Sequence, residues 1–444
     1  MTTATAGRTA RGNVRFLILG LIFFITVINY ADRAIISIAG PALSDELKLS
    51  PVTMGYIFSA FGWSYVIGQL PGGWILDRFG SKWVYAASIT LWSTFTLLQG
   101  TVGFLTGGAA VALLFALRFA VGLAESPSFP ANARIVAAWF PTNERGFASA
   151  VFNSAQYFST VIFAPFMAWI VHEFGWRNVF WVMGAIGIAV ALLWINMIHP
   201  PRRHPLMKQP EIDYLVEGGA LVDMDEKKAD DAKAGPSWGA IKQLLSTRML
   251  IGVYVAQYCI TAMTYFFLTW FPVYLVKERG LSILQAGFAA TLPALCGFFG
   301  GILGGIISDG ILRRTGSLTL ARKIPIVGGM LLSTAIIGCN YVDAPAAVIG
   351  LMTLAFFGKG IGSLGWAVVA DTSPKEIPGL NAGLFNTFGN VAGITTPIAI
   401  GYIVEASGGS FTGALAFVAL NALVALVSYL FVVGEIRRVT LNRT

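Results

Sequence analysis

The chain has 444 residues, of which 56% are hydrophobic and 12% charged, and its formal net charge is +8. A soluble domain has about twice this share of charged residues, so a soluble globular protein is excluded. A nucleic-acid partner is excluded as well, because the basic residues form no patch on a soluble module.

Continuous apolar runs of about 20 residues, the length that crosses a bilayer core, recur along the whole chain. Because the runs do not alternate with polar residues, they predict helices rather than the strands of a membrane barrel. We therefore predict an all-α polytopic membrane protein with twelve transmembrane helices. The predicted spans are 14–36, 52–75, 83–104, 106–128, 148–170, 177–197, 249–275, 284–311, 323–341, 346–370, 381–404 and 411–434.

Lysine and arginine are distributed unevenly between the two sides of these spans. If the N-terminus is cytoplasmic, the even-numbered connections and the two tails carry 23 of the 30 basic residues, the opposite connections carry four, and three lie inside spans. Cytoplasmic connections of membrane proteins are enriched in basic residues. This distribution predicts that both termini are cytoplasmic.

A degenerate repeat divides the chain into two halves. Gly73 and Asp77 recur as Gly305 and Asp309, at an offset of 232 residues. A repeat of this length in an apolar chain predicts two parallel six-helix halves of a transporter. The predicted domains are an N-terminal tail (1–13), a six-helix bundle (14–197), a polar, solvated linker (198–248), a second bundle (249–435) and a C-terminal tail (436–444).

Charged side chains inside the predicted spans are functional candidates, since burying one at the bilayer centre costs about 2.5–3.5 kcal/mol. Asp32 and Arg33 lie towards the outer end of helix 1, where a local ion pair is the alternative interpretation. Arg118 and Glu125 share one face of helix 4, about 10 Å apart along its axis, too far for a direct salt bridge. We expect the Asp32-Arg33 segment or a substrate carboxylate between them; a static ion network is the alternative.

Lys359 is a charged residue of the second half that lies deep inside a predicted span, 346–370. It lies about 18 Å from either end of helix 10, much farther than its side chain reaches. It must therefore face a cavity or a partner. Ser363 and Trp366 follow at positions i+4 and i+7, which places them on the same helix face. Two alternatives stay open: Lys359 binds substrate, or it pairs with a protein carboxylate such as Asp32 or Glu125.

Other polar residues form two further groups. Pairs at helical spacing, such as Tyr65 with Gln69, would suit a polyhydroxylated solute if they faced one cavity, although each pair alone is more often a contact between helices. A second group lies at predicted cytoplasmic helix ends and suggests a conformational latch, or simply helix caps. This group is Gly73, Asp77, Arg78, Asp309 and Arg313.

Enzymatic function is not expected. The three histidines, His172, His199 and His204, lie in or near connections, and no nucleophile or metal-ligand spacing accompanies them. We expect no metal site and no cofactor.

Four long stretches resemble the major facilitator superfamily: 55–82, 118–141, 265–280 and 356–366. Residues 73–82 match its signature between helices 2 and 3, and 305–316 match the second copy of that signature. Within the superfamily the chain is similar to the anion:cation symporters, above all to bacterial glucarate and galactarate permeases. The resemblance covers nearly the whole chain except 1–12 and about 220–236.

This resemblance implies proton-coupled uptake of a sugar acid through the bacterial inner membrane. Asp32 and Glu125 match the acids that carry protons, Arg33 matches the arginine that binds a carboxylate, and Arg118 matches the arginine that partners the glutamate. Lys359 departs from the galactonate-type pattern, where an uncharged residue is expected, and so favours a diacid (aldarate). The positions that match the lining of the hexonate cavity are Tyr30, Tyr65, Gln156, Ser363, Trp366 and Asn386.

The expected function is therefore alternating-access symport of an aldarate with H+ by a monomer in the lipid bilayer. Two alternatives remain. One is symport of a hexonate monoacid such as galactonate. The other is an organophosphate or phosphate antiporter, which would have no use for Glu125 as a proton carrier.

Overall fold

The computed structural model describes residues 13–142, 144–224, 238–374 and 377–440, apart from the side chains at 70, 77, 146, 150, 378 and 379. Within these ranges the regular structure is helical and there is no strand. The described α-helices are α1 (Val14–Leu47), α2 (Pro51–Phe79), α3 (Ser81–Gln99), α4 (Gly107–Glu125), α5 (Ser128–Trp139), α6 (Arg145–Phe174), α7 (Trp176–Met197), α8 (Gln209–Glu217), α9 (Trp238–Ser246), α10 (Arg248–Tyr265), α11 (Phe271–Lys277), α12 (Ile283–Ala289), α13 (Thr291–Thr315), α14 (Leu318–Ser333), α15 (Pro345–Ile361), α16 (Gly365–Thr372), α17 (Pro378–Ala406) and α18 (Thr412–Val427).

These helices confirm the predicted all-α membrane architecture. Ten helical segments are long and apolar enough to cross a membrane. Together with α2 and α3, they correspond to the twelve predicted spans. Several spans are composite: α4 continues into α5, α10 continues through a π-helical turn (Phe266–Trp270) into α11, α12 is followed by α13, and α15 is followed by α16.

The predicted end of the first span at residue 36 is wrong. α1 continues to Leu47, so Asp32 and Arg33 lie near its middle rather than towards its outer end. The helix outlasts the apolar run because its last turns are packed against other helices. A Cβ atom on Gly40, for example, would contact Met54 of α2 and Val273 of α11.

The fourth and tenth predicted spans, 106–128 and 346–370, were expected to be continuous helices, but both are broken. α4 ends at Glu125 and the chain resumes as α5 after Pro127, whose missing N–H removes a helical hydrogen bond. α15 ends at Ile361, so Lys359 lies in its last turn. The prediction that Lys359 is distant from either end of its helix is therefore wrong. The shared face predicted for Lys359, Ser363 and Trp366 is therefore wrong, because residues 362–364 interrupt the helical register.

The linker is less solvated than predicted. Its helix α8 packs on the first half, where Glu211 is 1% exposed and lies 3.4 Å from the guanidinium of Arg15. Tyr214 donates a hydrogen bond to Glu144 at 2.6 Å. Residues 225–237 lie outside the described residues, as do 1–12 and 441–444 of the predicted tails.

The two halves are in contact most closely at one end of the bundle. We call the end where α1 ends and α2 begins the loop face, and the end where α1 begins and α7 ends the termini face. Towards the loop face, α2 and α17 approach backbone to backbone. A Cβ atom on Gly62 would lie 2.9 Å from the carbonyl group of Gly393, and one on Gly55 would lie 2.6 Å from the carbonyl oxygen of Pro397.

Polar contacts reinforce this closure. The backbone N–H of Val52 donates to Glu405 at 3.0 Å, and Lys277 pairs with Asp45. Nearer the middle of the membrane, Asn386 donates to Gln69 of α2 at 3.4 Å. These polar contacts between the halves thus run from mid-membrane to the loop face.

The approach of α2 and α17 leads to a stability prediction. Gly62→Ala places a methyl group against the backbone of Gly393 and should lower stability by about 1–3 kcal/mol, as overpacking usually does. Thermal unfolding of the purified protein in detergent measures the effect. Gly20→Ala is the matched control, because a Cβ atom there has nothing within 4 Å. Equal unfolding temperatures for the two variants would contradict the close approach.

Candidate functional site

A buried ion pair joins α1 to α4. Arg33 Nε donates to Glu125 Oε2 at 2.8 Å, and the two side chains are 7% and 0% exposed. The guanidinium lies over the rings of Tyr30, Phe61 and Tyr65, at 4.7–4.9 Å from the ring centroids. Cation–π contacts are strongest where the cation is desolvated, so the aromatic rings stabilise Arg33 where water cannot.

The partner of Glu125 differs from the one the resemblance implied. Arg33 binds the carboxylate, whereas Arg118 lies over the ring of Phe61 at 5.5 Å and is 3% exposed. Arg118 Nε has no hydrogen-bond partner within the described residues. The first helix thus supplies a partner for Glu125, and both arginines lie over the ring of Phe61. That the first helix fills the gap between Arg118 and Glu125 stays a prediction.

Asp32 is buried separately from this pair. It is 1% exposed, and neither of its carboxylate oxygens has a hydrogen-bond partner in the described part of the chain. The local Asp32–Arg33 ion pair is therefore wrong. Successive residues of a helix point about 100° apart. Accordingly, Arg33 points to Glu125, whereas Asp32 lies close to Trp92 of α3.

Several polar atoms of this cluster have bonding capacity to spare. Within the described residues, Arg33 Nη2, Glu125 Oε1 and both amide atoms of Asn29 have no hydrogen-bond partner. Nearly all buried polar groups in proteins are satisfied, and exceptions call for an explanation such as a bound molecule. The cluster can thus accept an anion at its arginines and a proton at its carboxylates.

Lys359 lies in the second half and its ammonium group faces the first. The side chain is 5% exposed. The Nζ atom lies 5.9 Å from the ring centroid of Tyr157, on α6, and 5.0 Å from that of Phe356. It forms no ion pair with any described residue. The pairing with Asp32 or Glu125 that was left open is therefore not present in this conformation.

A cavity of about 70 Å³ lies between the halves, and it is lined mainly by apolar side chains. Tyr30 and Gln156, two of the predicted lining residues, contribute to it. The other predicted residues lie elsewhere. Tyr65 is packed on Arg33, and Trp366 is 54% exposed and packs against Phe385. Ser363 donates to the carbonyl oxygen of Lys359 at 2.7 Å, and Asn386 bonds to Gln69.

Two of the aromatic residues beside the charges, Phe61 and Tyr157, were not predicted from the sequence. Phe61 lies under both Arg33 and Arg118, and Tyr157 lies beside Lys359. Each is close in sequence to a residue that was singled out: Phe61 is one helical turn before Tyr65, and Tyr157 follows Gln156. An aromatic residue next to a polar one on a membrane helix was the available signal.

The predicted latch residues are only partly connected. Arg78 lies over Trp74 and Phe79 of its own helix, and Arg313 donates to the carbonyl oxygen of Asp309 at 3.3 Å. A Cβ atom on Gly73 would contact nothing within 4 Å, and the side chain of Asp77 lies outside the described residues. The latch stays a prediction.

A further residue of this region, Arg322, was missed. It bonds to Asp371 and Ser308, each at 2.8 Å, and lies 4.0 Å from Asp309.

A twelve-span helical bundle in two halves, with cations of both halves facing the interface, defines a membrane transporter. The chain belongs to the Major Facilitator Superfamily, whose family model matches residues 22–397. It is a multi-pass protein of the bacterial inner membrane and not an enzyme.

Named relatives share most of its length. The chain is 61% identical to the probable galactarate/D-glucarate transporter GudP of Bacillus subtilis, over 97% of this chain and 94% of the relative. It is 57% identical to the probable galactarate/D-glucarate transporter GarP of Escherichia coli, over 97% of each chain. The D-galactonate transporter of Escherichia coli is 41% identical, over 96% of this chain and 97% of the relative.

Solved structures share the fold at low sequence identity. A D-xylose-proton symporter superposes with a TM-score of 0.72 at 16% identity, over 95% of this chain and 98% of the other. A bacterial homologue of the human lysosomal transporter Spinster, in an inward-facing and occupied conformation, superposes with a TM-score of 0.70 at 16% identity, over 96% of each chain.

Because Arg33 and Glu125 are buried together, we predict that the effects of replacing them on the free energy of unfolding are strongly coupled. Arg33→Met leaves a buried carboxylate without its cation and should cost about 3–5 kcal/mol. Arg33→Met combined with Glu125→Leu removes both charges and should cost less than the single change. Thermal unfolding of both variants in detergent tests this, and a double variant less stable than Arg33→Met would contradict it.

Proposed function

We propose that this protein is a symporter that couples the uptake of a six-carbon sugar diacid, galactarate or D-glucarate, to protons. The observation that carries the proposal is the pairing of Arg33 with Glu125 in the first half, together with Lys359 of the second half, which has no ion-pair partner among the described residues and whose ammonium lies beside Tyr157 of the first half. The named relatives support the substrate class, because those at 57–61% identity are galactarate/D-glucarate transporters.

Glu125 and a substrate carboxylate compete for Arg33 in this proposal. An ionised Glu125 occupies the guanidinium, as it does in this conformation. A proton on Glu125 removes its charge and leaves Arg33 to bind the substrate carboxylate, with the bidentate geometry that arginine offers. Proton binding thus prepares the anion site, which is the linkage that symport requires.

The second carboxylate of the substrate binds Lys359. A diacid brings two negative charges into a region of low dielectric, and Arg33 compensates one of them. Lys359 lies on α15 with its ammonium beside Tyr157 of the first half, so it already faces the interface. A ligand held by both cations bridges the halves, and the occluded state then forms around the whole molecule.

The remaining assignments belong to the same proposal. Asp32 is the second proton carrier, and Arg118 lies near both acids and tunes them electrostatically. Tyr30, Tyr65, Gln156, Ser363, Trp366 and Asn386 are proposed to contact the hydroxyl groups of the substrate as the halves move. The protein works as a monomer with H+ as the coupling ion, without a cofactor, and with both termini in the cytoplasm.

Replacing Glu125 should separate accumulation from exchange. Glu125→Gln cannot release or bind the coupling proton, so proteoliposomes with this variant should not concentrate glucarate under a pH gradient. Counterflow of glucarate against internal glucarate should persist, because exchange needs no net proton movement. If the variant still accumulates substrate under the gradient, Glu125 is not the coupling acid.

Replacing Lys359 should change selectivity. Lys359→Gln should weaken competition by glucarate and galactarate about tenfold or more, since a buried charge-assisted hydrogen bond contributes about 1.5–3 kcal/mol. Competition by galactonate, a monoacid, should change much less. Uptake of radiolabelled substrate with unlabelled competitors measures both, and Lys242→Gln, an exposed lysine of α9, is the matched control.

Equal losses for monoacids and diacids in Lys359→Gln would contradict the diacid contact. Preferred uptake of galactonate by the unaltered protein would favour the monoacid alternative. Exchange of phosphate without any effect of a pH gradient would favour the antiporter.

A further inference from the structure

A line of polar side chains runs along one face of α3 inside the first half. Tyr85, Ser88, Trp92, Thr96 and Gln99 follow at three- and four-residue intervals, which places them on one helix face over about 21 Å. All five are at most 3% exposed. We call this line the α3 stripe.

Hydrogen bonding is incomplete along the stripe, and the hydroxyl of Tyr85 at its termini-face end has no partner within the described residues. Towards the termini face, Ser88 donates to the carbonyl oxygen of Ala124 at 2.5 Å. From Trp92 to the loop face, the indole N–H of Trp92, the hydroxyl of Thr96 and the carbonyl oxygen of Gln99 have no partner in the described part of the chain. The hydroxyl of Ser93 is in the same state.

Each such atom costs about 1–3 kcal/mol when it is buried without a hydrogen-bond partner. Four such atoms in one region therefore call for a physical explanation. Buried water that bonds to otherwise unsatisfied groups is the usual explanation. Donors and acceptors follow one another along this segment, as a chain of water molecules requires.

The stripe leads from a proton carrier to the surface. The indole N–H of its middle residue, Trp92, is the group that approaches Asp32. The two do not form a full hydrogen bond, and neither carboxylate oxygen has another partner within the described residues. The charged groups that act on Asp32 are Arg118 and Glu125 of α4, while Arg33 points to Glu125.

At its other end, Gln99 is one turn from Gly103. The carbonyl oxygen of Gly103 accepts a hydrogen bond from Arg177 at 2.8 Å, and Arg177 also pairs with Glu46, which is 44% exposed at the loop face. The stripe thus ends at the last residue of α3, one turn before a segment that Arg177 connects to an exposed carboxylate.

The second half has no counterpart of the stripe. Its repeat-related helix is α14, and the positions offset by 233 residues carry no side-chain hydrogen-bonding group: Leu318, Ala321, Pro325, Gly329 and Leu332. Packing of the third helix of a half therefore does not require these polar groups. The stripe is found in the half that also contains the buried acids.

We propose that a hydrated passage along α3, lined by Trp92, Thr96 and Gln99, carries protons between the loop face and Asp32. This passage is separate from the cavity between the halves, since none of its residues lines that cavity. The inference rests on the proposed proton coupling and adds the route by which the proton arrives.

The proton transfer balances without a further reactant. A hydronium ion at the loop face gives up one proton, each water passes one on, and the carboxylate of Asp32 binds the last. The hydroxyl of Thr96 accepts one proton and donates another. The side chains of Trp92 and Gln99 hold the water and exchange no proton.

The test uses Thr96→Val and Gln99→Leu in the full-length protein in proteoliposomes. Both changes keep the approximate side-chain volume and remove the polar atoms. We expect the initial rate of glucarate uptake under a pH gradient to fall about tenfold or more in Thr96→Val, since a positioned proton-transfer group typically contributes at least that much. The rate should also fall in Gln99→Leu, because this change removes a group that holds the water. Glucarate counterflow should stay near the unaltered rate. Thr96→Ser should restore uptake.

Ser333→Ala in α14 is the matched control for loss of a buried hydroxyl; that hydroxyl bonds to the carbonyl oxygens of Gly329 and Ala355. If uptake and counterflow fall together in the stripe variants, the stripe is structural and the passage is refuted. Unchanged uptake in both variants refutes it as well. If one variant does not assemble, the other decides.

Absence of gradient-driven uptake in the unaltered protein would instead refute the proposed coupling itself. The two failures are therefore distinguishable.

Discussion

The contact between Arg33 and Glu125 organises the interior of the first half. Two charges with 7% and 0% exposure are costly to bury, and their attraction repays this cost only with good geometry and further contacts. Here the geometry is a 2.8 Å bond, and the further contacts are the rings of Tyr30, Phe61 and Tyr65 around the guanidinium. The pair thus holds α1, α2 and α4 together, and a change in the charge of Glu125 alters all three.

The halves have the same topology but different interiors. The first contains the acids and the α3 stripe. The second is packed through small residues: a Cβ atom on Gly304 would contact Ile361, and one on Gly358 would contact Leu332. Small residues let the helices of a membrane bundle approach closely. The first half uses the same device, since a Cβ atom on Gly122 would contact the backbone of Phe61. The halves differ in their charges: the first contains acids that can change their protonation, and the second presents Lys359 beside Tyr157.

The sequence was sufficient for what depends on local composition and was insufficient for what depends on tertiary arrangement. Apolar length predicted the twelve spans, and the cost of burying charge singled out Asp32, Arg33, Arg118, Glu125 and Lys359. Helical spacing failed at Lys359, because it assumes an unbroken helix and residues 362–364 interrupt this one. The choice of arginine that binds Glu125 depends on how α1 is rotated about its axis relative to α4. The spacing of residues within a single helix gives no information about that rotation.

Closure of the loop face has a different physical origin from the chemistry at the centre. α2 and α17 meet through backbone atoms at Gly55, Gly62 and Gly393, and such contacts do not depend on pH. The ion pair of Lys277 with Asp45 is half-exposed, so solvent screens it and it contributes about 1 kcal/mol or less. Titration at the loop face therefore cannot set the conformation strongly. The central cluster is buried and not screened, so titration there can change the arrangement of the halves more strongly than titration at the loop face.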